Sequence, residues 1–456
     1  MKPMLFYSTN QSSPEVTFSQ ALLQGQAPDK GLYMPRAIPQ LSEEEVSSFI
    51  HKPYPDIAFD VSWKFLAGEI PEEDLKQIVK DAYNFNIPLE PAFERKYILR
   101  LDQGPTASFK DFAARMMGRL MQYYLAREQK SMLILTATSG DTGSAIANAF
   151  YGLDNIKVVI LFPEHEVTNR QRKQMTTLGR NVEVIAVKGK FDDCQALVKE
   201  AFADQDLKHL DLSSANSINI GRLIPQIVYY FYAFARLRTG LPGDDAVFSV
   251  PSGNFGDMMG GVLAMKMGLP VKRFIIAVNE NDEFPEFLKT GMYKKVEPSR
   301  NCISSAMNVG HPSNLARLVS LYGGQMDEKG NITRDPDMDL MRQELYSVSI
   351  DDVITRKTIT QAWENHNVLL EPHGAVGWAG LLHYLENEGR NLDRDQLFIS
   401  LETAHPAKFP EEISRLLGVD PELPPSLQGI EEKEEEFSLM DNDYHAFKGY
   451  LTKNYS

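Results

Sequence analysis

The sequence predicts an α/β fold built on parallel sheets, and two observations lead to that fold class. From residue 97 onward, short apolar runs of the kind that form buried strands alternate with stretches in which apolar residues recur at helical spacing. Several of these apolar runs also end in loops of small and polar residues that open the next helical stretch. Because the carboxyl ends of parallel strands lie at one edge of a sheet, we expect these loops to meet and form a binding site.

The alternation can be followed along the chain. Strands are predicted at residues 97–101, 133–135, 158–162, 182–187, 246–250, 274–278 and 397–401. Helices are predicted over 112–124, 145–150, 220–237 and 258–267, with a polar helix ending at Leu178 and further helices after the last strand. Strands and helices that alternate in this way predict a parallel sheet covered by helices on both faces.

The chain is long enough for two or three domains, each with its own core. We predict an N-terminal segment or small domain over residues 1–95, where Pro and Gly are scattered and no long regular period is visible. Two α/β lobes are predicted to follow, over residues 96–240 and 241–456. The acidic run at 431–436, interrupted only by Lys433, is predicted to be a solvated helix face or a flexible stretch.

Composition excludes several classes of partner. The net charge of −15 argues against nucleic acid, whose phosphates are bound mainly by clustered Lys and Arg, and requires local basic residues for any anionic substrate. Cys194 and Cys302 have no metal-ligand spacing and form no disulfide framework, so we expect no metal and a reducing cytoplasm. We expect no signal peptide, and no apolar stretch approaches the ~20 residues that span a bilayer.

Lys110 is the leading candidate for a reactive side chain. It opens a helical stretch after Ser108-Phe109, and the positive end of a helix dipole disfavours a cation and lowers the pKa of a lysine there. A Schiff base requires a neutral amine of this kind. The alternative is an ordinary exposed lysine in a first helical turn.

The sequence Ser-Gly-Asn-Phe-Gly-Asp at 252–257 is a candidate phosphate cup. Gly253 and Gly256 allow close backbone approach, Asn254 tolerates left-handed dihedral angles, and the following helix contributes its N–H groups and dipole. A Walker A loop is excluded because no Lys-Ser or Lys-Thr follows, and G-x-G-x-x-G spacing is absent. The alternative is an ordinary turn between a strand and a helix.

The sequence Thr-Ser-Gly-Asp-Thr-Gly at 138–143 is a second cup, whose hydroxyls and N–H groups suit a carboxylate. A simple N-cap by Ser139 or Asp141 is the alternative. Two anion cups together with Lys110 suit a phosphorylated aldehyde, a substrate carboxylate and the amine that carries the Schiff base. The combination therefore predicts pyridoxal phosphate (PLP) as the cofactor.

Polar residues also cluster where the helix at 220 begins. Asn216, Ser217 and Asn219 precede Arg222, and Arg is the side chain best matched to phosphate by its bidentate geometry. A structural cap followed by a surface Arg is the competing interpretation. His373 and His405 are candidate acid–base groups, or else histidines that are hydrogen-bonded beside turns.

These motifs closely resemble the threonine synthase family, in the longer form found in many bacteria and fungi. The resemblance rests on Gly-Leu-Tyr-Met-Pro at 31–35, Gly-Pro-Thr-Ala-Ser-Phe-Lys-Asp at 104–111, the loops at 138–143 and 250–257, Asn-Ser-Ile-Asn at 216–219, and Thr-Ala-His-Pro-Ala-Lys-Phe at 403–409. Order and spacing are kept over nearly the whole chain. The resemblance implies a fold-type II PLP enzyme, like the β chain of tryptophan synthase, with the cofactor between two α/β lobes.

The resemblance also implies roles for individual residues. Lys110 would carry the Schiff base, Asp141 would lie near the cofactor's 3′-oxygen, and Thr403 would face its pyridine nitrogen. The phosphate cup would comprise Gly253, Asn254, Phe255 and Gly256. The substrate carboxylate would be held by Thr138, Ser139 and Thr142. The negative charge of the leaving substrate phosphate must also be offset, and Asn219 and Arg222 are the candidates for that role.

The implied reaction converts O-phospho-L-homoserine and water into L-threonine and phosphate. Two alternatives remain open from the sequence. A PLP phospho-lyase on the same scaffold would release 2-oxobutyrate, and a non-catalytic relative would bind PLP or a metabolite as a sensor. The intact Lys110 argues against the sensor.

Overall fold

The computed structural model describes residues 2–240, 244–389 and 396–455. Its strands are β1 (Leu5–Ser8), β2 (Val16–Thr17), β3 (Tyr33–Pro35), β4 (Leu89–Phe93), β5 (Lys96–Arg100), β6 (Met132–Ala137), β7 (Ile156–Pro163), β8 (Val182–Lys188), β9 (Leu212–Ser213), β10 (Ala246–Pro251), β11 (Val271–Val278), β12 (Gln325–Met326), β13 (Ile332–Arg334), β14 (Leu345–Ser349), β15 (Leu397–Glu402) and β16 (Ser438–Asp441).

The helices are α1 (Phe18–Gln24), α2 (Glu43–Ser48), α3 (Tyr54–Leu66), α4 (Glu72–Ala82), α5 (Lys110–Glu128), α6 (Asp141–Phe150), α7 (Asn169–Thr176), α8 (Phe191–Ala203), α9 (Ile220–Leu237), α10 (Gly256–Lys266), α11 (Glu283–Thr290), α12 (Leu315–Leu321), α13 (Met338–Glu344), α14 (Asp352–His366), α15 (Pro372–Glu388), α16 (Pro410–Leu417) and α17 (Tyr444–Tyr455). None of the described helices is long and apolar enough to cross a membrane.

A five-stranded sheet forms the first layer, in the order β16-β8-β7-β6-β9, and all its neighbouring strands are parallel. Strand β7 is buried along nearly its whole length because helices cover both faces of the sheet. Helices α6 and α8 pack against β7, and α17 packs against α8.

A six-stranded sheet forms the second layer, in the order β14-β11-β10-β15-β5-β4. All its neighbouring pairs are parallel except β4 with β5 at one edge. Helix α15 lies across β10, β11 and β15, and α10 packs against the long apolar helix α9. The two parallel sheets confirm the predicted α/β fold class.

Two strands depart from the lobe boundaries predicted at 96–240 and 241–456. Strand β5 pairs with β15 in the six-stranded sheet, although the sequence analysis assigned it to the first lobe. Strand β16 pairs with β8 in the five-stranded sheet, although it lies near the end of the second lobe's sequence. Alternation of strands and helices does not show which sheet a strand joins. The second boundary adjoins residues 241–243, which lie outside the described residues.

Residues before β4 are more regular than the sequence analysis predicted. They contain α3 and α4, and α4 buries Leu75, Ile78, Val79 and Ala82 along one face. The N-termini of α1 and α2 each carry a capping box, formed by Thr17 with Gln20 and by Ser42 with Glu45. This region packs on α5 and α9, so its core is continuous with that of the lobes.

Candidate active site

Loops that follow strands of both sheets meet around the start of α5. The segment after β15 runs antiparallel to the residues before Lys110, with an isolated bridge between Ser108 and Ala404. The Phe109 N–H donates to the carbonyl of Thr403 at 2.9 Å, and the His405 N–H donates to the carbonyl of Ala107 at 3.0 Å. Thr403 therefore lies beside the residues that position Lys110, and its side chain is buried.

Lys110 is the first residue of α5, and its side chain is only 13% exposed. Its Nζ lies 3.8 Å from Oδ2 of Asp141 and 4.6 Å from the centre of the Phe109 ring. Burial lowers the pKa of Lys110, the positive charges of Lys408 and Arg222 lower it further, and Asp141 opposes the shift. The low pKa expected from the sequence is therefore present, and burial is its largest cause.

Asp141 is the central carboxylate of this site. Its Oδ1 lies 2.6 Å from Nζ of Lys408 and accepts a hydrogen bond of 2.8 Å from Nε2 of Gln171. Burial alone would raise the pKa of Asp141, but the charges of Lys408 and Lys110 outweigh it, and the pKa lies below its ordinary value. Asp141 is therefore ionised between two amines.

The loop at 138–143 is organised by Thr138. Its Oγ1 accepts hydrogen bonds from the Gly140 N–H at 2.9 Å and the Gly143 N–H at 2.8 Å. Gly140 is the N-cap of α6 with a φ of 135°, and the side chain that reaches an N–H group of the first turn is that of Thr138, so neither Ser139 nor Asp141 has the capping role considered above. A Cβ on Gly140 would lie 2.6 Å from Cδ of Gln171, so only glycine fits. Ser139 and Thr142 are half-buried at the mouth of the loop.

The loop at 252–256 opens α10 as predicted, but its left-handed residue is Phe255 and not Asn254. Phe255 has a φ of 62° and packs edge-on against Phe284, with ring centres 4.9 Å apart. The carbonyl of Asn254 accepts a 2.9 Å hydrogen bond from Nδ2 of Asn314. A Cβ on Gly253 would lie 3.0 Å from the carbonyl oxygen of Ala306, which keeps this position small. Gly256 is the first residue of α10.

The structure corrects the prediction for Asn219. Its Nδ2 donates to the carbonyls of Leu22 at 2.9 Å and Ser214 at 3.0 Å, and its Oδ1 caps α9 at the Gly221 N–H. Both amide hydrogens are therefore used inside the fold, and the residue is completely buried. Asn219 has no donor left for a substrate phosphate.

Arg222 is buried and not on the surface. Its Nη1 donates to the carbonyl of Ala215 at 2.8 Å, while its buried Nε has no hydrogen-bond partner among the described residues. Burial lowers the pKa of Arg222 to about 10. A buried guanidinium with an unused donor is suited to an anionic ligand.

Both candidate histidines are engaged in hydrogen bonds. His373 contacts Oε2 of Glu371 through Nδ1 at 2.6 Å, and its Nε2 lies 3.0 Å from the Ala306 N–H. Burial, reinforced by the charges of Arg100 and Lys408, lowers the pKa of His405 to about 4. The histidines thus match the hydrogen-bonded alternative of the sequence analysis.

Sequence reasoning missed three polar residues next to the site. Lys408 and Gln171 both contact Asp141, and Asn314 holds the loop at 252–256. Lys408 lies within the 403–409 motif, so the motif itself was the available signal. Gln171 and Asn314 carry no local sequence signal, because their contacts come from the packing of distant segments.

Family models match three parts of the chain. Residues 88–400 match the family described as pyridoxal-phosphate dependent enzyme, residues 5–83 match the threonine synthase N terminus, and residues 374–451 match the threonine synthase C-terminal family. The first match covers more than half of the chain. The chain therefore belongs to the pyridoxal-phosphate dependent enzymes, with the fold-type II architecture that the sequence analysis expected.

Similar proteins define the family more closely. The threonine synthase of Haemophilus influenzae is 39% identical over 455 residues, covering 99% of this chain and 100% of the relative. The PLP-bound threonine synthase from Brucella melitensis superposes with a TM-score of 0.91 at 35% identity, covering 99% of both chains. The Escherichia coli threonine synthase gives a TM-score of 0.86 at 37% identity, covering 99% of this chain and 100% of the other. The chain belongs to the threonine synthase family.

Proposed function

We propose that the protein is a PLP-dependent lyase that converts O-phospho-L-homoserine and water into L-threonine and phosphate. The observation that carries the proposal is the largely buried Lys110 amine, 3.8 Å from Asp141, at the point where loops from both sheets meet in a chain similar to threonine synthases over its full length. The substrate is a small molecule with two anionic groups, which explains why an acidic chain has basic side chains buried at this place.

The residues present fit the cofactor. The loop at 252–256 leads into α10, whose first N–H groups have no partner within the helix and would hold the cofactor's phosphate. Lys110 would bond to its aldehyde, Asp141 would face its 3′-oxygen, and Thr403 its pyridine nitrogen. A hydroxyl at Thr403 cannot protonate a ring nitrogen as a carboxylic acid would, so the nitrogen would stay less firmly protonated.

Bound PLP supplies the electron sink for negative charge that develops on the substrate's carbon chain. Lys110, once released by the substrate's amine, is the base that takes protons from the α- and β-carbons, and burial lowers its pKa, which favours the free amine that this role requires. The γ-phosphate then leaves with the electrons of its C–O bond, and a proton returns to the γ-carbon. Hydroxide from water adds at the β-carbon, and Lys110 returns a proton to the α-carbon, which completes the balance for threonine.

The substrate's two anionic groups are assigned to different parts of the site. Ser139 and Thr142, at the mouth of the loop at 138–143, would hold the carboxylate, and Thr138 would shape that loop. Arg222 would hold the phosphate with its unused Nε donor and stabilise the charge as the phosphate departs.

The test is a product balance with O-phospho-L-homoserine and the PLP-loaded protein. Threonine and phosphate should appear in equal amounts, and in ¹⁸O-labelled water the label should enter the β-hydroxyl. Phosphate accompanied by 2-oxobutyrate would replace the proposal with a phospho-lyase. A coloured PLP complex without turnover would replace it with a binding protein.

Two further properties belong to this proposal. We propose a cytoplasmic location, supported by Cys194 and Cys302, which are free and buried thiols. We also propose three structural parts with boundaries near residues 95 and 240, in which β5 pairs within the sheet of the second lobe and β16 within the sheet of the first.

A further inference from the structure

Lys408 is a completely buried lysine to which the proposed reaction gives no role. It ends a short helical turn at Pro406–Lys408, and its side chain is 0% exposed. Its Nζ lies 2.6 Å from Oδ1 of Asp141 and donates to the carbonyl of Thr106 at 2.9 Å. A buried ammonium requires a paired anion and hydrogen-bond acceptors, and both are present here.

Asp141 lies between Lys408 and Lys110. Its Oδ1 faces the Lys408 amine at 2.6 Å, and its Oδ2 faces the Lys110 amine at 3.8 Å. Lys408 is the closer partner, so it contributes more than Lys110 to stabilising the ionised carboxylate of Asp141. Lys408 and Lys110 are the two amines that stabilise the buried negative charge of Asp141 most strongly. If Lys408 were absent, only Lys110 of this pair would remain.

Other charged groups also face Lys110 from the elements around it. Arg222 approaches from α9, Glu371 from the start of α15, and Asp257 from α10. Asp257 accepts hydrogen bonds from Tyr229 and Tyr230, and burial raises its pKa to about 6. These groups remain the same when Lys408 alone is changed, so they do not obscure its effect.

We propose that Lys408 is a positioning residue, which holds Asp141 and neutralises its charge so that Lys110 keeps the uncharged amine that bonds to the cofactor's aldehyde. In that bond-forming step the amine nitrogen attacks the aldehyde carbon. A C=N bond replaces the C=O bond, and the oxygen leaves as water with the two amine hydrogens. The inference rests on the proposed function, because it assumes that Lys110 is the residue that binds PLP.

The test measures how fast the full-length chain, stripped of PLP, bonds to added PLP as a function of pH. Stopped-flow absorbance follows the coloured product, and the midpoint of the pH profile reports the neutral fraction of Lys110. Lys408→Met keeps the length of the side chain and removes its charge, so Asp141 should hold a proton on Lys110. The midpoint should rise by about one pH unit, which is about a tenfold loss of rate below the midpoint.

The decisive comparison adds Asp141→Asn. In the double variant Lys408→Met/Asp141→Asn, both charges are gone, and the midpoint should return close to that of the unchanged protein. A packing defect caused by Met at 408 would not be repaired by Asn at 141. If Lys408→Met raised the midpoint of the pH profile by the same amount in the Asp141→Asn background as in the unchanged protein, the inference would be overturned.

A matched control is Lys357→Met, which removes one positive charge from α14. Lys357 is exposed, on a helix other than those that carry Asp141 and its partners. Its loss should leave the midpoint unchanged. A shift as large as that of Lys408→Met would assign the effect to net charge and overturn the role of Lys408.

The inference can be tested even if the variants that lack Lys408 do not fold. If no variant lacking Lys408 folds, Asp141→Asn alone leaves Lys408 charged and unpaired near Lys110, and the midpoint must fall by about one pH unit. An unchanged or raised midpoint would overturn the inference. The readout is bond formation with PLP and not turnover. If the midpoints shifted as expected but the protein made no threonine, only the proposed reaction would therefore be contradicted.

Discussion

Lys110 combines a largely buried position with neighbours that lower its pKa, and we expect its replacement to abolish turnover. Lys110→Ala should reduce kcat by at least three orders of magnitude, because the covalent attachment and the base are lost together. The fold should persist, since the only ion pair of this side chain in the described structure is the 3.8 Å contact with Asp141. The measurements are steady-state kinetics and a thermal unfolding curve.

Lys110→Arg is the control for charge. It keeps a cation beside Asp141 but cannot form a Schiff base, so it should be as inactive as Lys110→Ala. Activity of more than roughly one per cent in either variant would remove Lys110 from the catalytic role.

Arg222 and Arg317 are two buried arginines with different surroundings. Arg317 donates from all three nitrogens of its guanidinium, with bonds to the carbonyl of Ile218 at 2.7 Å and to Oδ1 of Asn314 at 2.6 Å among others. The guanidinium of Arg222 donates to the carbonyl of Ala215, and its Nε has no partner within the described part of the chain. Arg222→Met should therefore cost about 2–5 kcal/mol in kcat/KM for the phosphorylated substrate, with a smaller loss of folding stability than Arg317→Met causes.

Arg317→Met is the matched control for Arg222→Met. It leaves several buried oxygen acceptors without a hydrogen-bond donor and should lower the free energy of unfolding by about 3 kcal/mol. Kinetics and calorimetry on both variants separate the two roles. An Arg222→Met protein with normal kcat/KM would show that another side chain holds the substrate phosphate.

At the level of secondary structure, α7 links the site to the C-terminal segment. The acidic strap, defined as residues 430–436, lies along α7. Arg172 contacts Oε1 of Glu435 at 2.8 Å, and Thr176 donates to the same oxygen at 2.8 Å. The same helix carries Gln171, which holds Asp141. The acidic strap therefore contacts a helix that positions the candidate active site, while its acidic side chains other than Glu435 are exposed, in line with the solvated run predicted from its composition.

Glu435→Gln should loosen the acidic strap. The hydrogen bond from Arg172 lowers the pKa of Glu435, so the pair stabilises the fold above the ordinary pKa of a glutamate, and this contribution is lost as the pH falls through the lowered value. At neutral pH, amide exchange in residues 430–436 should be about 5-fold faster in the variant, which corresponds to ~1 kcal/mol.

Glu434→Gln, at an exposed neighbouring position of the same charge, is the control and should leave exchange unchanged. The difference between Glu435→Gln and the unchanged protein should also vanish in acid. Identical exchange rates for both at neutral pH would mean that the acidic strap is held by its backbone contacts alone.

The elements that the sequence predicted best are those whose signal is local. Helix α9 was predicted at its observed bounds, and the strands before Lys110 and Gly253 were predicted to within a few residues, because apolar periodicity and adjacent small residues mark them. Helix α4 was missed although its apolar residues recur at helical spacing and its first turn is acidic. That spacing was the sequence signal for α4.

The features that could not be predicted depend on distant partners. The hydrogen bonds of Asn219 go to Leu22 and Ser214, the left-handed backbone falls on Phe255 because its ring packs against Phe284, and Lys408 meets Asp141 across the fold. Each residue type was visible in the sequence. Their partners were not, because the sequence does not show which segments pack together.

The molecule brings its two sheets together at one site. Lys110 follows β5 and Gly253 follows β10, both in the six-stranded sheet, while Asp141 follows β6 in the five-stranded sheet. A cofactor held by all three would connect the lobes in the folded state and have no equivalent site in the unfolded chain. PLP should therefore stabilise the protein by mass action, by ~2.7 kcal/mol at a free concentration 100-fold above its dissociation constant.

Removing PLP should lower the melting temperature by about 3 °C or more, since a chain of this length has a large unfolding entropy and each kcal/mol shifts the midpoint by only about one degree. Differential scanning calorimetry of the loaded and stripped protein measures this shift. Lys110→Ala separates the covalent bond from the remaining contacts, because it leaves the loops at 138–143 and 252–256 intact. The increase in melting temperature that PLP causes in Lys110→Ala should be smaller than in the unchanged protein but above zero. Equal melting temperatures with and without PLP in the unchanged protein would contradict a cofactor that joins the two sheets.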